Sequence, residues 1–474
     1  MNPNQTLQDK FPHLEVSVQS FSKVSQHLIL GSEFNSNARE NALRAINSED
    51  KVNEYFDLIS STISSIDKPA LIYDLTHSLG NFLHDTELIE CDLGSNKKEV
   101  IHNDFIISRL RSYLQEMAVV QEKQYRQLVS TEYLVYRPKT NLLSSNTLMI
   151  FALSSYVQII LSHSQYGTEH PRFYEFVFNE MPLPKILFEL NKDMDSTMKQ
   201  AYMLLEQSKT LYKEAEDLLY TELGLNPANP MQSILESQGN NINYTIATLK
   251  ESFLKTGRLD SEYYQSKYDI MENLIKAKGF KTLDEICSLI NYGSVPTSPY
   301  SENGEGVPYI KGLNLKNLQI DENKLDRITN TDDLDSKFFT KENDIIISQM
   351  GTVGDVGVVS KEQENCIFAS FTIRIRLKNT QEFNPYFVAA YIQHIAKEWY
   401  LYRHIAQASV RQNTDLPTIR NLYVPLVDRN IQEKIAAHIQ KSFALRKEAK
   451  NLLQVAKVKV EEAIKIGGGG NMSL

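Results

Sequence analysis

The 474-residue chain predicts an α+β fold, with two globular mixed α/β regions separated by two long antiparallel helices that form a coiled-coil-like spacer. Three observations carry that reading. A strand-turn-strand text is written twice, an alanine- and leucine-rich helix text is written twice, and the copies keep one order along the chain.

The strand text comes first. Asn103-Asp104-Phe105-Ile106-Ile107-Ser108 recurs as Asn343-Asp344-Ile345-Ile346-Ile347-Ser348, 240 positions further on. EMAVV (116–120) then faces DVGVV (355–359), and LVSTEYLVYRPK (128–139) faces IFASFTIRIRLK (367–378), both at an offset of 239. FIIS and IIIS are short apolar runs bounded by polar turn residues, and TIRIRLK alternates as a half-buried strand does. Between them Gly351, Gly354 and Gly357 supply the freedom that a tight turn or a close backbone approach demands. By sequence offset the first copy carries Arg111, Leu114 and Met117 in their place, so one scaffold presents different surfaces in its two halves.

The helix text follows at an offset of 234, with SKTLYKEAEDLL (208–219) matching SFALRKEAKNLL (442–453). Leu204, Leu211, Leu218 and Leu225 recur every seven residues beside Ala201, Ser208 and Ala215, and Gly224 then Pro227 close the run. In the second copy Ile431, Ile435, Ile439, Leu445, Ala449, Leu452 and Ala456 make a comparable stripe, which begins after Pro425 and Asp428. Each run covers roughly 35 residues, about 50 Å of helix, and stripes of that length call for a partner helix. The nearest partner is the other copy, packed antiparallel. The interface is expected at Leu204, Leu211, Ala215, Leu218, Ile435, Ile439, Leu445, Ala449, Leu452 and Ala456. The resulting plan is a first globular region at 1–187, a helix at 188–226, a second globular region at 227–428, a helix at 429–465 and a flexible glycine-rich tail at 466–474.

Composition is that of an ordinary globular protein, with 42% hydrophobic and 23% charged residues. No run approaches the roughly 18 apolar residues of a membrane span, and the start MNPNQTLQDKFPHLEV lacks a signal peptide's apolar stretch. A cytoplasmic protein without membrane contact is therefore expected. Cys91, Cys287 and Cys366 are far apart and odd in number, which predicts neither a disulfide framework nor a zinc site. The net charge of −9 weighs against a broad phosphate-binding surface, although HPRFYEF and IRIRLKN concentrate basic residues locally.

Catalytic signatures are missing. The chain has no GxxxxGK[ST], GxGxxG or HExxH, its ten histidines show no ligand spacing, and no catalytic, cofactor-binding or metal-ligating residue is expected. Asn384-Pro385-Tyr386-Phe387 is similar to the NPPY text of amino-methyltransferases but lacks the second proline, and it reads better as a helix start with Pro385 in the first turn.

The order of HNDFIISRLRSYLQEMAVV, GVPYIKGLNLKN, ENDIIISQMGTVGDVGVV, FASFTIRIRLK, ASVRQN, then QEKIAAHIQ and LRKEAKNLL, resembles the DNA specificity subunit of type I restriction-modification systems. The resemblance covers about residues 20 to 465 and is strongest from Lys281 to Ile464. It implies that the globular regions are target recognition domains, each reading half of a split site on double-stranded DNA, and that the helices set the spacing. It further implies two methyltransferase subunits docked on the helices and a motor-nuclease subunit, with S-adenosylmethionine, ATP and magnesium held by those partners and none by this chain. A protein-only coiled-coil scaffold and a free-standing methyltransferase or nuclease are the alternative readings.

Arginine pairs bidentately with guanine, and asparagine or glutamine with adenine, so DNA-contacting residues are sought in the turns that differ between halves. In the first these are Arg109, Arg111 and Tyr113 after FIIS, with Thr168, His170 and Arg172 in GTEHPR. In the second they are Lys311, Asn314 and Lys316 in YIKGLNLKN, Gln349 and Thr352 after IIIS, and Ser409, Arg411, Gln412 and Asn413 in ASVRQN.

Overall fold

The computed structural model describes the chain except residues 1–6, 8, 17, 91, 231–245, 297, 323–324, 406–412 and 468–474. It divides into two compact units, Met1–Glu206 with Leu445–Leu474, and Gln207–Ala444. The two long helices, α1 (Ile186–Glu222) and α2 (Arg429–Gly467), are each continuous. Each contributes one part to each unit, so neither helix is a separate domain.

The principal strands of the first unit are β1 (Phe56–Ile59), β2 (Ala70–Tyr73), β3 (Leu88–Ile89), β4 (Lys97–Val100), β5 (Phe105–Ser108), β6 (Met117–Val119), β7 (Arg126–Ser130) and β8 (Tyr133–Pro138). They form two four-stranded sheets, ordered β1-β8-β5-β6 and β3-β2-β7-β4. In the second unit β9 (Cys287–Tyr292), β10 (Val307–Ile310), β11 (Asp326–Ile328), β12 (Ile345–Ser348), β13 (Val356–Val358), β14 (Ile367–Phe368) and β15 (Thr372–Leu377) repeat that plan. One sheet runs β9-β15-β12-β13 and the other β11-β10-β14. The register is also repeated, with Phe105 opposite Tyr136 and Ile345 opposite Ile375. A parallel pairing also recurs, β2 with β7 and β10 with β14.

Both copies of the Asn-Asp text make the same turn. Asn103 and Asn343 take the left-handed backbone (φ 70° and 69°), which asparagine tolerates better than most residues. Asp104 and Asp344 are fully buried. Asp104 accepts two 2.8 Å bonds from Arg137, and Asp344 accepts bonds of 2.6 and 2.7 Å from Arg376. Each carboxylate also takes one backbone N–H at 2.9 Å, from Ile101 or Lys341. Arg374 completes the second cluster at 3.3 Å and is itself wholly buried, which pulls its pKa down by desolvation. The basic text IRIRLKN is therefore used inside the fold, and Arg374 has no face toward a ligand.

Asn384 caps the helix Pro385–Tyr391 by accepting from the Tyr386 N–H at 2.9 Å, and the helix continues as a ten-residue π-helical stretch, Ile392–Leu401. At the end of α1, Gly224 adopts the left-handed backbone (φ 77°) and the Leu225 N–H returns to the Tyr220 carbonyl at 2.9 Å.

The long helices meet along small residues. In the second unit the buried hydroxyls of Ser208 and Ser442 lie 2.9 Å apart, and Glu214 lies 3.9 Å from His438, so residue numbers rise on one helix as they fall on the other. Ala215, Ile435 and Ile439 are buried in the same core. In the first unit Met194, Met198 and Ala201 share a core with Ala449, Leu453, Ala456 and Val460, and Lys459 reaches Asp193 at 2.5 Å. The seven-residue leucine stripe is displaced from this seam. Leu204, Leu211, Leu218, Leu445 and Leu452 are only half-buried, and the residues that recur every seventh position at full burial are Ala201, Ser208 and Ala215. Small side chains let helix backbones approach, and the leucines then flank the contact.

Candidate nucleic-acid interface

In both units the site lies where the middle strand of the β1-type sheet ends. After β5 the Arg109 N–H donates to the Glu132 carbonyl at 3.1 Å and its carbonyl accepts from Phe173, also at 3.1 Å. After β12 the Gln349 N–H donates to the Phe371 carbonyl at 3.0 Å and its carbonyl accepts from Thr414 at 3.1 Å. Leu110 bridges to Arg172 in the first unit, as Met350 does to Asn413 in the second. Segments far apart in the sequence, RLR with GTEHPR in the first unit and QMG with Asn413 in the second, are thereby joined by the same backbone contacts.

The first unit presents a mainly basic cluster. Arg111 Nη2 lies 3.1 Å from His170 Nδ1, and the Arg111 N–H donates to the Pro171 carbonyl at 2.8 Å. His170 and Thr168 are exposed. Arg172 is committed otherwise. Its guanidinium grips Glu132 at 2.9 and 2.7 Å and holds that carboxyl below the usual range. Arg109 stands 3.9 Å from the same carboxylate. Glu132 gave no signal in the sequence beyond its place before β8, and it organises both arginines. Arg172 is thus a positioning residue with its bidentate face occupied, while Arg111 and His170 point outward.

In the second unit Gln349 is half-buried, Thr352 is exposed, and Asn413 is partly accessible. Thr352 donates to Ser348 Oγ at 3.4 Å. The loop of Lys311 approaches the same strand end, because a Cβ on Gly312 would stand 2.8 Å from Ser348 Oγ. Lys311 forms an ion pair with Asp326 and rests 4.5 Å from the Tyr300 ring centre. Lys316 is exposed on the following hairpin. Asn314 does not serve as expected. It is buried, and its Oδ1 accepts from the Lys311 N–H at 2.8 Å, so its amide caps the turn from within. Ser409, Arg411 and Gln412 lie outside the described residues.

The turns themselves share a skeleton. Arg111 and Gly351 both have left-handed backbone (φ 48° and 83°), and so do Gln115 and Gly354 (φ 52° and 84°). The Ser108 N–H then bonds to the Glu116 carbonyl as the Ser348 N–H bonds to that of Asp355, both at 2.8 Å. Three residues separate the left-handed pair in the first unit and two in the second, which is the one-residue step between the offsets of 240 and 239. Gln115, and not Leu114, is therefore the counterpart of Gly354, and Ala118 that of Gly357. Glycine at 357 has its own reason, since a Cβ there would fall 2.7 Å from Ile320 and 2.9 Å from Leu315.

Among the described residues no group of histidine, cysteine and acidic side chains could hold a metal ion, and no single helix is long and apolar enough to cross a membrane.

These features define a class: a tandem α+β protein that carries two copies of one scaffold, each ending in turns with different side chains. Residues 276–455 match the family model described as the type I restriction modification DNA specificity domain. Solved structures resemble the chain across most of its length. The HsdS subunit of Thermoanaerobacter tengcongensis is 16% identical, with 88% of this chain and 96% of that one covered at a TM-score of 0.28. The type I restriction-modification S subunit of M. genitalium is 13% identical, with 90% and 96% covered at a TM-score of 0.43. No curated protein matches the chain.

Proposed function

We propose that this chain is the non-catalytic DNA specificity subunit of a cytoplasmic type I restriction-modification complex, each unit reading one half of a split site. The observation that carries the reading is the paired strand end: Leu110 with Arg172 and Met350 with Asn413 are built by one backbone plan, yet it displays Arg109, Arg111, Tyr113, Thr168 and His170 in one unit and Gln349, Thr352 and Asn413 in the other. A shared scaffold with divergent polar turns is what two different short sequences require. Lys311 and Lys316 add positive charge beside the second cluster. The helix pair sets the spacing and docks two methyltransferase subunits. Those subunits bring S-adenosylmethionine, and a motor-nuclease subunit brings ATP and magnesium.

Gel shift of the chain with and without its methyltransferase partner tests the reading, together with mapping of methylated adenines in the source genome. A split methylation motif and steeply salt-dependent binding are expected. Partner assembly without any DNA binding would instead make the chain a protein scaffold, and methylation or cleavage by the purified chain alone would make it an enzyme.

A further inference from the structure

The turn after β5 differs from its counterpart in what it does with its apolar side chain. In the second unit Val353 is folded inward and 2% exposed. Gly354 fits against the π-helical stretch, where a Cβ would fall 2.9 Å from Leu401 and 3.0 Å from Lys397. In the first unit the extra residue turns the apex out, and Tyr113 is 66% and Leu114 38% exposed.

That apex is held and not loose. Asn81 Nδ2 donates to the Gln115 carbonyl at 2.7 Å, Gln165 Nε2 donates to Ser112 Oγ, and the Arg111 N–H is tied to Pro171 at 2.8 Å. Its two left-handed positions are occupied by arginine and glutamine, residues that carry strain of order 1 kcal/mol or more there, where the second unit uses glycine. A rigid, strained turn that puts a tyrosine and a leucine into solvent beside Arg111 and His170 has no packing purpose within its own unit.

We infer that Tyr113 and Leu114 form a wedge that enters between adjacent base pairs of the first half-site, unstacking one step, while the second unit reads its half without such a distortion. Apolar side chains inserted at a base step kink the duplex, and an aromatic ring stacks on any base face. This inference rests on the chain reading DNA through these turns.

The test uses the full chain assembled with its methyltransferase subunits and duplexes of its mapped site, with 2-aminopurine placed at each step of the first half except the methylated adenine. A several-fold rise in fluorescence is expected at one step. Tyr113→Ala should abolish that rise and weaken binding about tenfold, about 1.4 kcal/mol, whereas Tyr113→Phe should keep both. The wedge is overturned if the rise persists in Tyr113→Ala, or if no step brightens although the complex binds its site, or if Tyr113→Phe fails as fully as Tyr113→Ala, which would assign the hydroxyl a base-edge contact. Failure of the assembled complex to bind DNA at all would overturn the DNA reading itself. Circular dichroism of the variants separates each outcome from misfolding.

Discussion

Arg376 clamps Asp344 through two parallel hydrogen bonds of 2.6 and 2.7 Å, on a carboxylate with no solvent exposure. Arg137 and Asp104 form the same clamp in the other unit. The repeated acid lies on the loop that enters the middle strand and the repeated arginine lies on its neighbour, so each clamp fixes the strand whose far end carries the candidate interface.

Asp344→Asn should destabilise the second unit by roughly 3–5 kcal/mol, the range for breaking a buried ion pair from one side. Arg374 is buried against the same carboxylate, so the loss should exceed that of Asp104→Asn. Native-state hydrogen exchange at the amides of β12 and β5 measures the two separately. Equal protection in both variants and the parent would show that neither clamp bears on stability.

The seam of the helices should respond to its two serines as a pair. Ser208→Ala leaves the Ser442 hydroxyl buried without its partner, at about 1–3 kcal/mol. Adding Ser442→Ala should recover most of that. A double-mutant cycle by urea unfolding checks it, and strictly additive losses would mean that the 2.9 Å contact carries no coupling.

Acidification should weaken the second unit through His394. Burial, reinforced by Lys397, pushes this imidazole down to about 4, and burial raises the Glu216 carboxyl 3.1 Å away. Both groups shift toward their uncharged forms, and the raised carboxyl, which takes up its proton at higher pH in the folded state, opposes the histidine as pH falls. The unfolded histidine takes up its proton near pH 6.5 and the folded one near pH 4, so between these values the unfolded state binds more protons and stability falls as pH falls. The His394 contribution is at most roughly 3 kcal/mol by pH 4. Thermal melts of His394→Gln across this window should show a flatter dependence than the parent, and parallel curves would exclude His394.

Arg111→Ala should reduce binding by about 1–3 kcal/mol if its guanidinium pairs with a base, and should relax one position in one half of the methylated motif. Asn413→Ala should act on the other half. Genome-wide adenine methylation in strains expressing each variant gives the answer directly, and an unaltered motif in both would remove these turns from base reading.

Much of the fold was legible because strand and helix periodicity are local properties of the chain. The paired FIIS and IIIS runs, the Asn384-Pro385 helix start, the Gly224 terminus and the shift from 240 to 239 are all visible as text, and each corresponds to a strand, a cap or a turn of altered length. The site was legible only in part. Turns were identifiable as the divergent segments, but whether a polar side chain in them is free depends on residues far away in sequence.

What the amino-acid sequence determined alone is therefore the duplication and the order and type of its elements. The tertiary structure decided the rest: Arg374 and Arg376 are committed to Asp344, Arg172 to Glu132, and Asn314 to its own turn, while Tyr113 is turned outward and Val353 inward. It also chose the alanine and serine seam over the adjacent leucine stripe. The physical reason is common to all of these. Apolar spacing shows that a face will be buried, but the burial of one side chain and the partner of one charge are set by backbones brought close by folding, where a single inserted residue or a missing Cβ changes which atoms can touch.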